Sequence, residues 1–285
     1  MKSKIAIVTC SNSGIDYIEH DESIEVLRSS INFGSEESYL DFIEMKNEEF
    51  YERIRKNPND VPKTAYAPIG KIMEVFDELY EKGYEEVIAI VISEKLSNLC
   101  DAIRSLDGQM KIKVHAFNSK AVSYGIAYLV LEAQNLALSG ASSDEIIERI
   151  TKLRDNSGVF FTVDTLLYLI KNGRLSKFAG AIGSLLNIRP ILEINKEGSV
   201  TTLEKQRGTK RAFKRVVELY VEATLDMKNL ITYVVHANND EAANQIKSQI
   251  QSLYPEREVV TCLLTPVVGA HAGPKAIGVG FIELD

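Results

Sequence analysis

Cysteine is scarce and scattered. Cys10, Cys100 and Cys262 are the only three in 285 residues, widely spaced and without a C-x-x-C pair, which excludes a disulfide framework and a zinc knuckle. Four histidines with no H-E-x-x-H pattern leave no basis for a metal site, and no cofactor is expected. Long hydrophobic runs are missing too. The longest, such as Val87–Ile92, is far too short to span a bilayer. The opening MKSKIAIVTC enters a strand with no signal-peptide core, so the expected home is the cytoplasm. Positive charge is not in excess: a net charge of −7 argues against non-specific nucleic-acid binding, which needs a positive face. No G-x-x-x-x-G-K-[ST] occurs, no G-x-G-x-x-G follows the first strand, and no G-x-S-x-G elbow is found. Asp164 sits at a helix start with no second carboxylate to pair with it.

What remains is a chain with 45% hydrophobic and 26% charged residues, the balance of a globular protein long enough for two cores. Apolar strands alternate with helices through the first half: Ile5–Thr9, a strand around Val26–Phe33, Val87–Ile92 and Ile112–Phe117. Between them lie helices from Asn47, over Ile69–Lys82, from about Ser97 to Leu106, and over Ala121–Leu138. Ser142 with Glu145 makes a capping box for a helix over 143–154. This pattern predicts a mostly parallel sheet flanked by helices. In the second half, Ile191–Ile194 and Val200–Glu204 flank Asn195-Lys196-Glu197-Gly198, a hairpin turn. With strands 159–163, 230–236, 258–264 and 277–283 and helices 209–226 and 240–253, it predicts an α/β domain with a mixed sheet. The fold class is therefore α/β with two domains, 1–155 and 156–285, hinged near Asp155-Asn156-Ser157-Gly158.

Residues 164–192 are the most informative stretch. A short apolar helix stops at Asn172-Gly173, where glycine takes the left-handed backbone of a helix end, so Arg174 is fixed at the tip of a rigid element. A small-residue helix over Ser176–Leu186 follows, and then Asn187-Ile188-Arg189-Pro190. An anchored arginine beside a wall of small apolar residues suits a ligand with a negative head and a long apolar body. At the carboxyl ends of the first-half strands, where α/β sheets bind ligands, stand hydroxyls: Ser93 and Ser97 after the third strand, with Thr64 in a proline-bounded loop. Ser97 also suits a local N-cap. The second half supplies cations in Arg174, Arg189, Arg207, Lys210 and Arg211, of which at least two read as solvated surface charge. The loop GAHAGPKA (269–276) puts His271 where it either donates to an anionic oxygen or is satisfied by neighbouring carbonyls. His236 reads as structural.

In these pieces the chain resembles the DegV family of bacterial fatty-acid-binding proteins along nearly its whole length. Thr64-Ala65-Tyr66-Ala67-Pro68 stands for the family's T-S-Q-P, and Ile92-Ser93-Glu94-Lys95-Leu96-Ser97-Asn98-Leu99 for I-S-S-x-L-S-G-T. Lys171-Asn172-Gly173-Arg174-Leu175-Ser176 matches K-G-G-R-I-S, and Leu186–Ile191 matches L-x-I-K-P-I. Arg207–Ala212 matches R-x-x-K-K-A, and His271-Ala272-Gly273-Pro274 the closing H-x-G-P. Ala65, Glu94 and Asn98-Leu99 depart from the pattern, as does Cys10, which stands where an aspartate commonly follows the first-strand threonine. A carboxylate aimed at the head group would repel an acid, so Glu94 is expected to face solvent.

The resemblance implies a long-chain fatty acid as ligand, buried between two α/β domains, with the hydroxyls of Thr64 and Ser97 on its carboxyl group. It implies a separate ATP-dependent fatty acid kinase as partner, which forms an acyl-phosphate, and a carrier with no turnover of its own. Ser93, Arg174, His271 and Arg207 would lie near the head group or the transferred phosphate. Two other readings stand beside it: an enzyme gripping a small anionic or phosphorylated metabolite through Arg174, Arg207 and His271, and a lipid-sensing interaction module.

Overall fold

The computed structural model describes residues 3–175 and 188–285; the small-residue helix expected over Ser176–Leu186 lies outside them. Strand β1 (Ile5–Cys10) is buried along its whole length, as a strand inside a sheet covered on both faces must be. It pairs in parallel with β2 (Glu25–Leu27) on one side and β6 (Glu86–Val91) on the other, and β6 pairs in parallel with β7 (Lys113–Asn118). Helix α4 (Tyr124–Ser139) packs across β1 and β6 and is backed by α5 (Ser143–Asp155). The capping box of α5 forms between Ser142 and Glu145 as the sequence predicts. Helix α3 (Leu99–Arg104) lies against β6 and β7, with α2 (Ile69–Glu81) beside it.

The segment expected as one strand over Val26–Phe33 divides into two. Strand β2 stays in the parallel sheet, while β3 (Ser30–Phe33) joins β4 (Glu37–Leu40) and β5 (Lys63–Ala65) in a small antiparallel sheet. The turn between them is held by polar contacts. Arg28 donates from both Nη atoms to the Asp16 carboxylate at 2.7 Å, and the Ser29 N–H donates to Ser11 Oγ at 3.0 Å. This departure places Thr64, expected in a loop, on β5 directly opposite Ile31.

The second half forms a six-stranded mixed sheet in the order β10 (Val200–Arg207), β9 (Ile188–Ile194), β8 (Ser157–Thr162), β13 (Ile277–Glu283), β11 (Leu230–His236) and β12 (Val259–Leu263). All its pairings are antiparallel except β11 with β12. Side chains alternate between its faces. Val234 and Val279 join Val216 and Ile246 of α7 (Thr209–Ala223) and α8 (Asp240–Leu253) in one core. Tyr233 and Val235 belong to the other core, which continues into the first half. On that face β13 offers Gly278 and Gly280. A Cβ at Gly280 would lie 2.1 Å from the Tyr233 ring, and one at Gly278 2.8 Å from Phe161 Cβ, so the aromatic side chains lie flat over the strand.

The expected loop GAHAGPKA begins instead as the end of a helix, α9 (Pro266–Ala272), capped by the Thr265 hydroxyl with proline in its first turn. This helix reaches back onto the first half, against β3, β5 and α1 (Asn47–Lys56). Gly269 permits the approach: a Cβ there would meet Tyr51 Oη at 2.5 Å and Phe50 at 2.8 Å. Tyr51 seals the contact by donating to the Leu264 carbonyl at 2.9 Å.

Candidate functional site

Between the parallel sheet, the small antiparallel sheet and the inner face of the mixed sheet lies a cavity of about 550 Å³. Much of its wall is apolar: Val159, Phe161, Ile194, Val235, Ile277 and Val268. Thr64, Ser97, Arg174 and His271, from four separate elements, also line it.

Two of these groups touch. Thr64 Oγ1 lies 2.8 Å from His271 Nε2 across the interface between β5 and α9. Burial, and then the positive charge of Arg174, hold the His271 ring well below its ordinary value, at about 4, so it is neutral near pH 7. Its Nδ1 is buried and has no hydrogen-bond partner among the described residues.

Arg174 is placed by the turn that ends α6 (Leu167–Lys171). Gly173 has φ 72°, and the Arg174 N–H donates back to the Leu169 carbonyl at 2.8 Å. The guanidinium is then pinned by main-chain oxygens: Nε donates to Leu96 at 3.0 Å and Nη1 to Asn172. Among the described residues no carboxylate pairs with it. Burial lowers its proton affinity, the mark of a half-buried cation lacking a counter-ion. Asn172, which the sequence marks only as a helix end, is the clamp. Its Nδ2 donates to the carbonyls of Pro62 at 3.1 Å and Ala270 at 2.9 Å, tying the arginine turn to the approach of β5 and to α9 at once.

Ser97 stands just before α3. Its Oγ accepts from the Leu99 N–H at 3.3 Å, and its own N–H donates to the Ser93 carbonyl at 3.0 Å. The Ser97 hydroxyl proton has no acceptor among the described residues and is free for a ligand. Glu94, expected in solvent, is half-buried and also lines the cavity, but its carboxylate is paired with Arg104 of α3. That hydrogen bond holds its proton affinity below the ordinary carboxylate range. Arg104 thus removes the repulsion that Glu94 would otherwise offer an acid, a role that no pattern around it announces.

The remaining candidates lie elsewhere. Ser93 is fully buried, and its hydroxyl donates to the Gly198 carbonyl at 2.8 Å, bolting the end of β6 to the β9–β10 hairpin. Arg207 ends β10 on an exposed position and is not part of the cavity wall. Lys210 and Arg211 are exposed on the first turn of α7. Arg189 Nη1 pairs with the Asp164 carboxylate at 2.5 Å. His236, buried, accepts from the Asn239 N–H at 3.2 Å, as suits a structural residue.

Comparison with known proteins adds an independent line. A family model described as "Uncharacterised protein, DegV family" matches residues 4–284. A DegV domain-containing protein of Clostridium acetobutylicum is 32% identical over 279 residues, 97% of this chain and 98% of its own length. The crystal structure of DegV, a fatty acid binding protein from Bacillus subtilis, superposes with a TM-score of 0.87 at 30% identity, covering 99% of each chain. The Streptococcus pneumoniae fatty acid kinase B3 protein, loaded with linoleic acid, shares the fold with a TM-score of 0.83 at 20% identity over 99% of each chain.

Proposed function

The chain belongs to the DegV family, and we propose from the site that it carries a long-chain fatty acid in the cavity, its carboxyl group on Thr64 and Ser97. In this reading the acid lies between an N-terminal unit, residues 1–155, and a C-terminal unit, residues 156–285. Arg174 supplies the counter-charge, and His271, neutral, holds Thr64 in place. One observation carries the reading: a cavity of lipid dimensions, about 550 Å³, whose walls include two hydroxyls and a half-buried arginine without a carboxylate partner among the described residues. A tail of roughly fifteen methylenes, at about 0.8 kcal/mol each, contributes on the order of 12 kcal/mol before ordering costs. The tail therefore dominates affinity and the polar end fixes orientation.

The carrier presents its carboxylate to a separate ATP-dependent fatty acid kinase, where a carboxylate oxygen attacks the γ-phosphorus of ATP, the bond to the β,γ-bridging oxygen breaks, and ADP leaves. The solved fatty-acid-binding relative supports the ligand, and the fold shared with the kinase B3 protein supports the partner. The Thr64–His271 contact has the outline of a nucleophile and its base, which would favour an enzyme. The chemistry favours the carrier: a ring with a pKa of about 4 is too weak a base to activate a hydroxyl near pH 7.

Lipid-free protein, titrated with a long-chain acid and then mixed with kinase and ATP, tests both parts. Uptake of one equivalent and its conversion to acyl-phosphate are expected. No uptake removes the carrier reading; uptake without phosphorylation removes the kinase and favours a lipid sensor.

A further inference from the structure

The cavity holds a second polar group of residues. Asn12, Ser29 and Ser123 all line it, and they are only 9%, 2% and 2% exposed. Hydrogen bonds draw them together: the Ser123 N–H donates to the Asn12 carbonyl at 2.9 Å, and the Ser29 N–H donates to Oγ of Ser11, the residue before Asn12, at 3.0 Å. Ser123 adopts a left-handed φ of 57°, a conformation that costs free energy in a non-glycine residue and clusters at ligand sites. None of the three side chains has a hydrogen-bond partner among the described residues. Tyr233, whose hydroxyl is equally without one, lines the same cavity.

Polar side chains that open onto a largely apolar cavity with no partner among the described residues are placed to bond to an occupant. Ser29 precedes Ile31 by two residues, and Ile31 pairs with Thr64. Ser29, in the turn just ahead of β3, is therefore offset from Thr64 along the cavity wall by about two residues of chain, at most about 7 Å, so it stands beside the chain of an acid whose carboxyl sits at Thr64. Two hydroxyls and a carboxamide are neutral groups that both donate and accept. They suit an alcohol oxygen better than a second ionised group.

Resting on the carrier reading, we propose that Asn12, Ser29 and Ser123 form a subsite for an oxygen function within the acyl chain, so that the protein selects a fatty acid hydroxylated along its chain over the plain saturated acid of equal length. A plain chain leaves these groups facing methylenes or trapped water. A hydroxyl placed against them gains bonds that the plain chain does not make.

Lipid-free protein is titrated by displacement of a fluorescent fatty acid, using stearic acid and a series of hydroxystearic acids with the hydroxyl at successive carbons. At least one hydroxy isomer is expected to bind about tenfold more tightly than stearic acid, the worth of one added hydrogen bond. Ser29→Ala combined with Asn12→Leu is expected to reduce that ratio toward one, and Ser29→Thr to keep it. Should the double variant fail to fold, Ser29→Ala alone reads the same ratio. Stearic acid binding as tightly as every hydroxy isomer, or a ratio that survives the substitutions, overturns the subsite while leaving the carrier standing. If no acid of either kind binds, the carrier reading falls and the subsite with it.

Discussion

Replacing Ser97 by alanine separates the work of the head group from that of the tail. The Ser97 hydroxyl accepts one local bond, from the Leu99 N–H at 3.3 Å, and donates to nothing among the described residues. Its loss should change the stability of lipid-free protein by no more than about 0.5 kcal/mol. A hydrogen bond to an ionised carboxylate is worth about 1.5–3 kcal/mol, so affinity for a long-chain acid should fall by roughly ten- to a hundredfold. Against a tail contribution of about 12 kcal/mol, binding persists. Displacement titration gives the affinity, and thermal unfolding of the lipid-free protein gives the stability. The methyl ester of the same acid completes a cycle: it cannot accept as a carboxylate does, so wild type and variant should bind it almost equally. Equal affinity of the two proteins for the free acid, or a stability loss as large as the affinity loss, refutes the assignment of Ser97 to the carboxyl group.

His271 gives a pH signature. Its folded pKa, about 4, lies below the ordinary 6.5, so the unfolded chain takes up the proton first as pH falls. The stability of lipid-free protein is then full above pH 6.5 and drains toward pH 4, by as much as about 3 kcal/mol; urea unfolding of a His271→Gln variant should show a shallower decline over that window. Val235→Trp puts an indole into the apolar wall, and uptake of long-chain acids should drop more than tenfold while acids of a few carbons are less affected, as paired titrations would show. Gly269→Ala places a Cβ 2.5 Å from Tyr51 Oη. Overpacking there should cost about 1–3 kcal/mol and shift α9 with its His271, read as a lower urea midpoint together with weaker lipid binding.

Much of the fold was legible because buried parallel strands leave continuous apolar runs, as in Ile5–Cys10 and Glu86–Val91, and because the capping box and the Asn195–Gly198 hairpin are local signals. The break inside Val26–Phe33 was not, since neither glycine nor proline marks it; the Arg28–Asp16 pair and the Ser11–Ser29 bond that make the turn are tertiary. The strands Glu37–Leu40 and Lys63–Ala65 are too short to show a period. Helix α9 was hidden by its glycine and alanine content, although Thr265-Pro266 is a readable start signal. At the site, Thr64, Ser97, Arg174 and His271 were found as separate polar punctuation in four motifs. Asn172 and Arg104 were missed because their roles, clamping and neutralising, exist only once distant segments meet. Ser93 was drawn into the head group by sitting at a strand end, whereas its hydroxyl faces the hairpin.

The most direct measurement is mass spectrometry of the organic extract of the purified, denatured protein. A filled cavity yields a long-chain fatty acid in near-equimolar amount. An extract free of such lipid, from protein that also takes up none when it is offered, contradicts the account.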